Sequence, residues 1–206
     1  MSLDFERRAR TMLDLAWPRE DQGRASDMDL NPGWRENLDD NAFKAAAVMV
    51  PVTEGRDTAR VVLTKRSEHL PSHAGQVAFP GGKLEDGDHT PLDAALREAE
   101  EEIGLNAGSV TPLGYLDPYY TGTGFKVRPV VVLVPPDYAY IPDENEVAAV
   151  FDVPLDFLMD PANHSVHALE WRGAQRRYYA MPYGEHYIWG ATAGIIRRLY
   201  ERLYKA

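Results

Sequence analysis

The residues whose types and spacing best suit chemistry are three glutamates, Glu98, Glu101 and Glu102. On a helix, positions i, i+3 and i+4 share an arc of roughly 100°, so the three carboxylates would project from one face. Carboxylate oxygens suit hard cations such as Mg²⁺ and Mn²⁺. The spacing is therefore compatible with a divalent-metal site but does not by itself establish one. A solvated acidic face is the open alternative, because like charges at this spacing cost only about 0.2–0.5 kcal/mol per pair.

A helix over residues 90–105 would carry these glutamates. Thr90 is a good N-cap, Pro91 suits the first helical position, and Asp93 completes a capping box. Gly104 is a typical C-terminal stop. A separate apolar face, which we expect to pack on a sheet, consists of Leu92, Leu96, Ala99 and Ile103.

A glycine-rich loop is predicted before this helix, with Phe-Pro-Gly-Gly at residues 79–82. Glycine lets the backbone approach a ligand closely, and the Gly82 carbonyl could supply another metal oxygen. The segment is neither a Walker A loop nor a Rossmann fingerprint. It therefore favours a metal site without specifying a nucleotide.

Composition and charge restrict the class of protein. The 206 residues carry a net charge of −10 and are 44% apolar and 26% charged, which predicts one ordinary globular domain. The charge disfavours nucleic acid as a partner, and no apolar run approaches a membrane span. With no cysteines and no signal-like N-terminus, a cytoplasmic location is expected.

Apolar patterning predicts an α/β fold. Residues 5–16 read as an amphipathic helix and residues 17–41 as a polar arm, which separates an N-terminal part (residues 1–40) from one main domain (residues 41–206). Strands are predicted at residues 44–52, 60–65, 76–79, 110–116, 126–134 and 147–153, with a hairpin near residues 171–181 and a helix at 192–204. This order suggests a sheet between helices.

Residues 97–105 read Arg-Glu-Ala-Glu-Glu-Glu-Ile-Gly-Leu and resemble the second half of the Nudix hydrolase box, G-x5-E-x7-R-E-U-x-E-E-x-G-U, where U is aliphatic. In the first half, Gly82 is present, Asp88 replaces the glutamate, and one extra residue precedes Arg97. The resemblance implies a Nudix-like α/β/α sandwich with a mixed sheet between helices. It also implies that the three glutamates hold Mg²⁺ or Mn²⁺ and that Arg97 is a structural ion-pairing residue.

Residues 63–67, Leu-Thr-Lys-Arg-Ser, together with Gly75 and residues 79–82, are similar to the signature L-L-T-x-R-[SA]-x3-R-x3-G-x3-F-P-G-G. That signature marks the coenzyme A pyrophosphatase branch of the family. Pro71 stands at its second arginine position. The resemblance implies hydrolysis of the diphosphate bond of coenzyme A or its derivatives, giving 3′,5′-ADP and 4′-phosphopantetheine or its acyl derivative.

Further residues are candidates for the substrate site and for proton transfer. Arg66 could clamp a phosphate, although a surface ion pair is an alternative. His73 and Gln76 could contact the substrate or simply stabilise a turn, and Phe125 could stack on adenine or belong to the core. Candidates for the general base are Glu98 or Glu102 on the helix and Glu144 or Glu146 before a strand, where a polar loop with no catalytic role is the alternative for the last two.

Two other functions stay open beside coenzyme A hydrolysis. One is a Nudix hydrolase for another substrate, such as ADP-ribose, NADH or a nucleoside triphosphate. The other is a non-catalytic nucleotide-binding module. A small-molecule substrate is the expected partner, and whether the chain forms a homodimer is left open by the sequence.

Overall fold

The structure is a computed structural model that describes residues 2–18, 21, 23, 25–31, 42–54, 58–171 and 173–205. Its elements, in chain order, are α1 (Ser2–Met12), β1 (Ala25–Ser26), β2 (Lys44–Glu54), β3 (Ala59–Arg66), β4 (Val77–Ala78), β5 (Gly81–Lys83), α2 (Pro91–Ile103), β6 (Thr111–Tyr115), β7 (Tyr119–Tyr120), β8 (Phe125–Val134), β9 (Val147–Pro154), α3 (Leu155–Met159), β10 (Ser165–Trp171), β11 (Ala174–Tyr183), β12 (His186–Trp189) and α4 (Gly190–Leu203).

The main sheet of the described residues is mixed. Its strands follow the order β1-β7-β8-β2-β3-β4, and β5, β6 and β9 pair with β2, β8 and β3, respectively. The central pair, β2 and β8, is parallel, whereas β3 runs antiparallel to β2. Strands β10, β11 and β12 form a separate antiparallel sheet.

Helices cover both faces of the main sheet. On one face, Ala95 and Ala99 of α2 pack with Val130 and Val132 of β8. On the other face, Val131 of β8 belongs to a core that includes residues of α1 and α4. A strand covered on both faces has a continuous apolar run, as β8 does. The predicted α/β/α sandwich is confirmed.

Helix α2 agrees with its sequence signals. The Thr90 side chain accepts a hydrogen bond from the Asp93 N–H, the Asp93 carboxylate accepts one from the Thr90 N–H, and Gly104 is left-handed at φ 64°. The buried side of the helix differs slightly from the prediction. Ala94 and Ala95 are fully buried, whereas Leu92 and Leu96 are only partly covered.

Helix α1 lies nearer the N-terminus than predicted. It ends at Met12 because the chain then turns to pair Asp14 with Tyr115, next to the sheet. Phe5 and Ala9 are fully buried, whereas Leu15, which lies within the predicted helix but beyond the observed one, is 46% exposed. The N-terminal helix therefore contributes to the main core. Most of the predicted polar arm lies outside the described residues.

The glycine-rich segment was predicted as a loop, but its Gly81–Lys83 part forms β5 and pairs with β2. The prediction was wrong there because glycine weakens a strand in general. At Gly81 the close approach of β2 reverses that preference, since a Cβ would overlap the Ala47 carbonyl oxygen. This pairing holds the glycines beside α2. None of the described helices is long and apolar enough to cross a membrane.

Candidate active site

A cavity of about 650 Å³ lies between the main sheet, α2 and the beginning of α4. Most of the predicted site residues line it, namely Arg66, His73, Gln76, Gly82, Glu98, Glu102, Phe125 and Glu146. Glu101 is absent from the wall, and its carboxylate is 61% exposed. The fold therefore brings together residues from distant parts of the chain and leaves one of the three helix glutamates outside the cavity.

Glu98 faces the glycine-rich segment. Its carboxylate fills the space where a Cβ on Gly82 would stand. Arg97 Nη1 donates to Glu98 Oε1 at 2.9 Å. Burial is the largest cause of the raised pKa of Glu98, and repulsion from Glu101 and Glu146 adds to it, while Arg97 opposes the shift. Glycine at position 82 is therefore required for this carboxylate to reach its place.

Glu102 is the most deeply buried of the three glutamates, with 5% of its side chain exposed. Its Oε2 accepts a hydrogen bond of 3.2 Å from the Gly81 N–H, and Arg66 Nη1 lies 3.7 Å from its Oε1. These contacts compensate only part of the desolvation cost. Burial raises the pKa of Glu102 to about 8.

Arg97 anchors the loop that leads into α2. Its Nη2 donates to Asp88 Oδ2 at 3.0 Å and to the Lys83 carbonyl at 3.0 Å, and its Nη1 reaches Glu101 Oε2 at 3.2 Å. The hydrogen bonds from Arg97 lower the pKa of Asp88, whose side chain is 6% exposed. Arg97 thus lies behind the cavity-lining carboxylates and is not part of the cavity wall.

Backbone hydrogen bonds fix the turn that carries Glu146. The Asp143 N–H donates to the Glu102 carbonyl at 3.0 Å, and the Ser67 N–H donates to the Glu146 carbonyl at 2.9 Å. The turn is therefore held between α2 and the end of β3. Glu146 lines the cavity, whereas Glu144 contributes only a backbone carbonyl to Ser67 Oγ. Of these two sequence candidates, Glu146 is the one whose position lies at the cavity.

The segment after β3 supplies another part of the wall. His73 Nδ1 and Gln76 Oε1 are 2.9 Å apart, and His73 has a left-handed backbone at φ 57°. Arg66 is 24% exposed, and its Nε has no hydrogen-bond partner. The pairing of His73 with Gln76 supports the turn-stabilising alternative for these two residues. Both residues also line the cavity.

The donor chemistry of the cavity fits a divalent cation. Two carboxylates of one helix, Glu98 and Glu102, face the backbone of Gly81 and Gly82, and burial disfavours their charge. Hard cations take such oxygen ligands. Among the residues the structure describes, no three His, Cys, Asp or Glu side chains are already gathered around one point. Arginines hold the carboxylates in this structure, with Arg97 at Glu98 and Arg66 at Glu102.

Comparison with known proteins assigns this site to a family. The sequence model described as the NUDIX domain matches residues 43–176, well over half of the chain. The chain belongs to the Nudix family. Membership makes it a diphosphatase, in a family that generally uses divalent metal ions and acts on nucleoside diphosphate derivatives.

Nudix relatives cover most of the chain. "Uncharacterized Nudix hydrolase NudL" of Escherichia coli (strain K12) is 43% identical over 165 residues, which span 80% of this chain and 84% of that protein. The protein of the same name from Escherichia fergusonii is 44% identical over the same length. The solved structure of a MutT/nudix family protein from Enterococcus faecalis is 18% identical in sequence and matches with a TM-score of 0.50. The match covers 82% of this chain and 65% of that chain, and it shows a likeness of fold alone.

The cavity wall also includes residues that the sequence did not assign to the site. Trp189 and the first turn of α4 line the cavity, as do Lys83 and Glu85 after the glycines. Thr192 Oγ1 donates to the Val77 carbonyl at 3.0 Å and so holds α4 against β4. The available signal was the small-residue run after Trp189, which allows the start of a helix to approach a strand closely.

Proposed function

We propose that this Nudix protein hydrolyses the diphosphate bond of coenzyme A or its derivatives, giving 3′,5′-ADP and 4′-phosphopantetheine or its acyl derivative. One observation carries the proposal. The segment that resembles the coenzyme A branch, with Arg66, Gln76 and Phe79, lines the same cavity as Glu98 and Glu102. Residues that would select the substrate and residues that would act on it therefore share one space.

The carboxylates would hold the cofactor, which we propose to be Mg²⁺ or Mn²⁺. Glu98, Glu102 and the Gly82 carbonyl would bind it inside the cavity, and the exposed Glu101 would contribute from outside the wall. When bound, such an ion neutralises phosphate charge and lowers the pKa of water. The net charge of −10 makes that neutralisation important, because the substrate is itself an anion.

Arg66 would bind a phosphate of the substrate. It lies at the cavity with a guanidinium Nε that has no hydrogen-bond partner. A guanidinium can donate two parallel hydrogen bonds to phosphate oxygens. His73 and Gln76 extend this part of the wall, and Phe125 offers a ring for the adenine.

Glu146 would accept the proton of the attacking water. Its side chain is exposed at the cavity, and its negative charge acts on both Glu98 and Glu102. Water attacks one phosphorus of the diphosphate and the bond from that phosphorus to the bridging oxygen breaks. The water proton passes to the Glu146 carboxylate and then to solvent. Both halves leave as phosphate monoesters, and the chain forms no covalent adduct.

A substrate panel with product identification tests this proposal. Coenzyme A, acetyl-CoA, ADP-ribose, NADH and a nucleoside triphosphate are compared with Mg²⁺ and with Mn²⁺, and products are identified by mass. In heavy-oxygen water, one product should carry a single labelled oxygen even in a single turnover. EDTA should stop the reaction, and added metal should restore it.

Three results would overturn the proposal in different ways. Preference for ADP-ribose or NADH would replace the substrate but keep the chemistry, and Pro71 at the signature arginine position would then be the relevant departure. Release of dephospho-CoA and inorganic phosphate would mean that a phosphomonoester bond is cleaved. Turnover that persists in EDTA would contradict the metal role of the carboxylates.

A further inference from the structure

The small sheet formed by β10, β11 and β12 carries an aromatic cluster on one face. In its register Tyr178 is opposite His167, and Ala180 is opposite Trp189. Side chains alternate between faces along a strand, so His167, Tyr178, Tyr187 and Trp189 share a face. The other face carries Met181 and Ile188, both fully buried in the core. We refer to His167, Tyr178, Tyr187 and Trp189 as the outer aromatic surface.

Contacts between its members hold this surface in one arrangement. The Tyr178 and Trp189 rings pack edge to face with centroids 5.1 Å apart, and the Tyr187 and Trp189 centroids are 6.3 Å apart. His167 Nδ1 lies 2.7 Å from the Tyr187 hydroxyl. Burial and the Tyr178 hydroxyl raise the pKa of Tyr187 to about 12. Even so, Tyr187 is 39% exposed.

Trp189 connects the outer aromatic surface with the cavity. It packs against Tyr178 and Tyr187 on the small sheet, and it also lines the cavity together with the first residues of α4. The hydrogen bond from Thr192 to Val77 fixes the beginning of α4 against β4. A ligand that leaves the cavity beside Trp189 therefore meets Tyr187 next.

We propose that the outer aromatic surface binds the non-nucleotide arm of the substrate, an extended uncharged chain of amide, methyl and thioester groups. This assignment rests on the proposed coenzyme A function. It makes Tyr187 and Trp189 specificity-determining residues that distinguish coenzyme A derivatives from compounds without such an arm.

The character of the surface favours the arm over the other parts of the substrate. The rings of Tyr178, Tyr187 and Trp189 are uncharged, whereas phosphates need the cationic side chains found inside the cavity, such as Arg66. Tyr187 is accessible on an open sheet face, so the surface covers a ligand from one side only. An elongated chain can bind such an open face, because the free energy from apolar burial increases with the length of chain in contact.

The two hydrolysis products separate the halves of the substrate and so test the assignment. In Tyr187→Ser, we expect the KM for hexanoyl-CoA and the Ki of 4′-phosphopantetheine to rise by about 5- to 10-fold, the loss of one aromatic contact. The Ki of 3′,5′-ADP should stay within twofold of the wild-type value. Trp189→Phe should keep most of the affinity for the arm, whereas Trp189→Ser should lose it.

Val166→Ser is the matched control, because Val166 is 50% exposed on the same sheet but on its other face. It should leave all these constants unchanged. A rise in the Ki of 3′,5′-ADP in Tyr187→Ser would place the nucleotide on this surface and overturn the assignment, as would unchanged constants for every ligand. If wild type hydrolyses another diphosphate but not coenzyme A, the proposed function fails and this assignment fails with it.

Discussion

Asp88 and Arg97 form a two-point ion pair, with Arg97 Nη2 3.0 Å from Asp88 Oδ2 and Arg97 Nε 3.4 Å from Asp88 Oδ1. Compared with the Nudix box, Asp88 has a shorter side chain than glutamate and lies one residue further from the arginine along the chain. The extra residue falls in the loop before α2, so the carboxylate still reaches Arg97 and the spacing of the helix glutamates is unchanged.

Replacing Arg97 tests whether its ion pair with Asp88 positions the site. Arg97→Lys keeps the charge but cannot make the paired contacts to Asp88, Lys83 and Glu98. We expect a loss of about 1–2 kcal/mol in the free energy of unfolding and at least a ~10-fold loss in kcat/KM. Thermal melts and steady-state kinetics measure both. Arg10→Lys, which alters an exposed ion pair with Glu6, should change neither. Unchanged activity in Arg97→Lys would contradict the positioning role.

The helix glutamates should differ in importance according to where they lie. Glu98→Gln or Glu102→Gln should lower turnover by at least ~100-fold, because each removes a carboxylate at the cavity that would bind the metal. Glu101→Gln should lower it less, since that carboxylate lies outside the wall. Turnover at saturating Mg²⁺ and circular dichroism test this. Near-normal turnover in the first two variants would rule out this helix face as the active site.

Gly82 in β5 and Gly87 in the loop that follows it provide a matched pair. Gly82→Ala places a methyl group where the Glu98 carboxylate stands, whereas Gly87→Ala has no heavy atom within 4 Å of the new Cβ. Because a flexible side chain can move away, we expect the Gly82 variant to keep its Tm within a few degrees but lose ~100-fold in kcat. The Gly87 variant should resemble wild type in both. Equal activity of the two variants would mean that Glu98 need not occupy its observed place.

Burial of Glu102 predicts how stability without metal depends on pH. Its pKa rises from 4.5 to about 8 on folding, so the folded state binds the proton more tightly than the unfolded state. The contribution of the protonated Glu102 to the free energy of unfolding is therefore fully present below pH 4.5. It decreases as pH rises toward 8, by up to about 5 kcal/mol. In EDTA, Glu102→Gln should lose most of this decline. Urea titrations across this pH range measure the free energy of unfolding. An equally steep decline in the variant would mean that a group other than Glu102 causes it.

Arg66 should matter more for coenzyme A than for ADP-ribose, because it belongs to the segment that resembles the coenzyme A branch. A bidentate phosphate contact contributes roughly 1.5–3 kcal/mol, or about 10- to 150-fold in kcat/KM. Arg66→Ala should show that loss with coenzyme A and a smaller one with ADP-ribose. Arg60→Ala, at a distant ion pair with Asp152, is the control. Equal losses on both substrates would make Arg66 a general diphosphate ligand or a partner of Glu102 alone.

Local signals predicted helix α2 almost residue for residue. A capping box at Thr90 and Asp93 and a left-handed glycine at position 104 act within one turn of chain, so their effect does not depend on the rest of the fold. The strand pattern of β8 was equally readable, because burial on both faces requires an unbroken apolar run. Where a distant partner decides the conformation, as at Gly81 against β2, the prediction failed.

The sequence by itself determined the spacing of the carboxylates, the helix that carries them and the family. Only the tertiary structure decided that Glu102 is buried, that Glu101 points away from the cavity, and that Glu146 joins the site through backbone hydrogen bonds from residues 143 and 67. It also placed Trp189 on the wall. Helical spacing fixes the angle between side chains, but burial and electrostatic environment depend on which distant segments pack around each one.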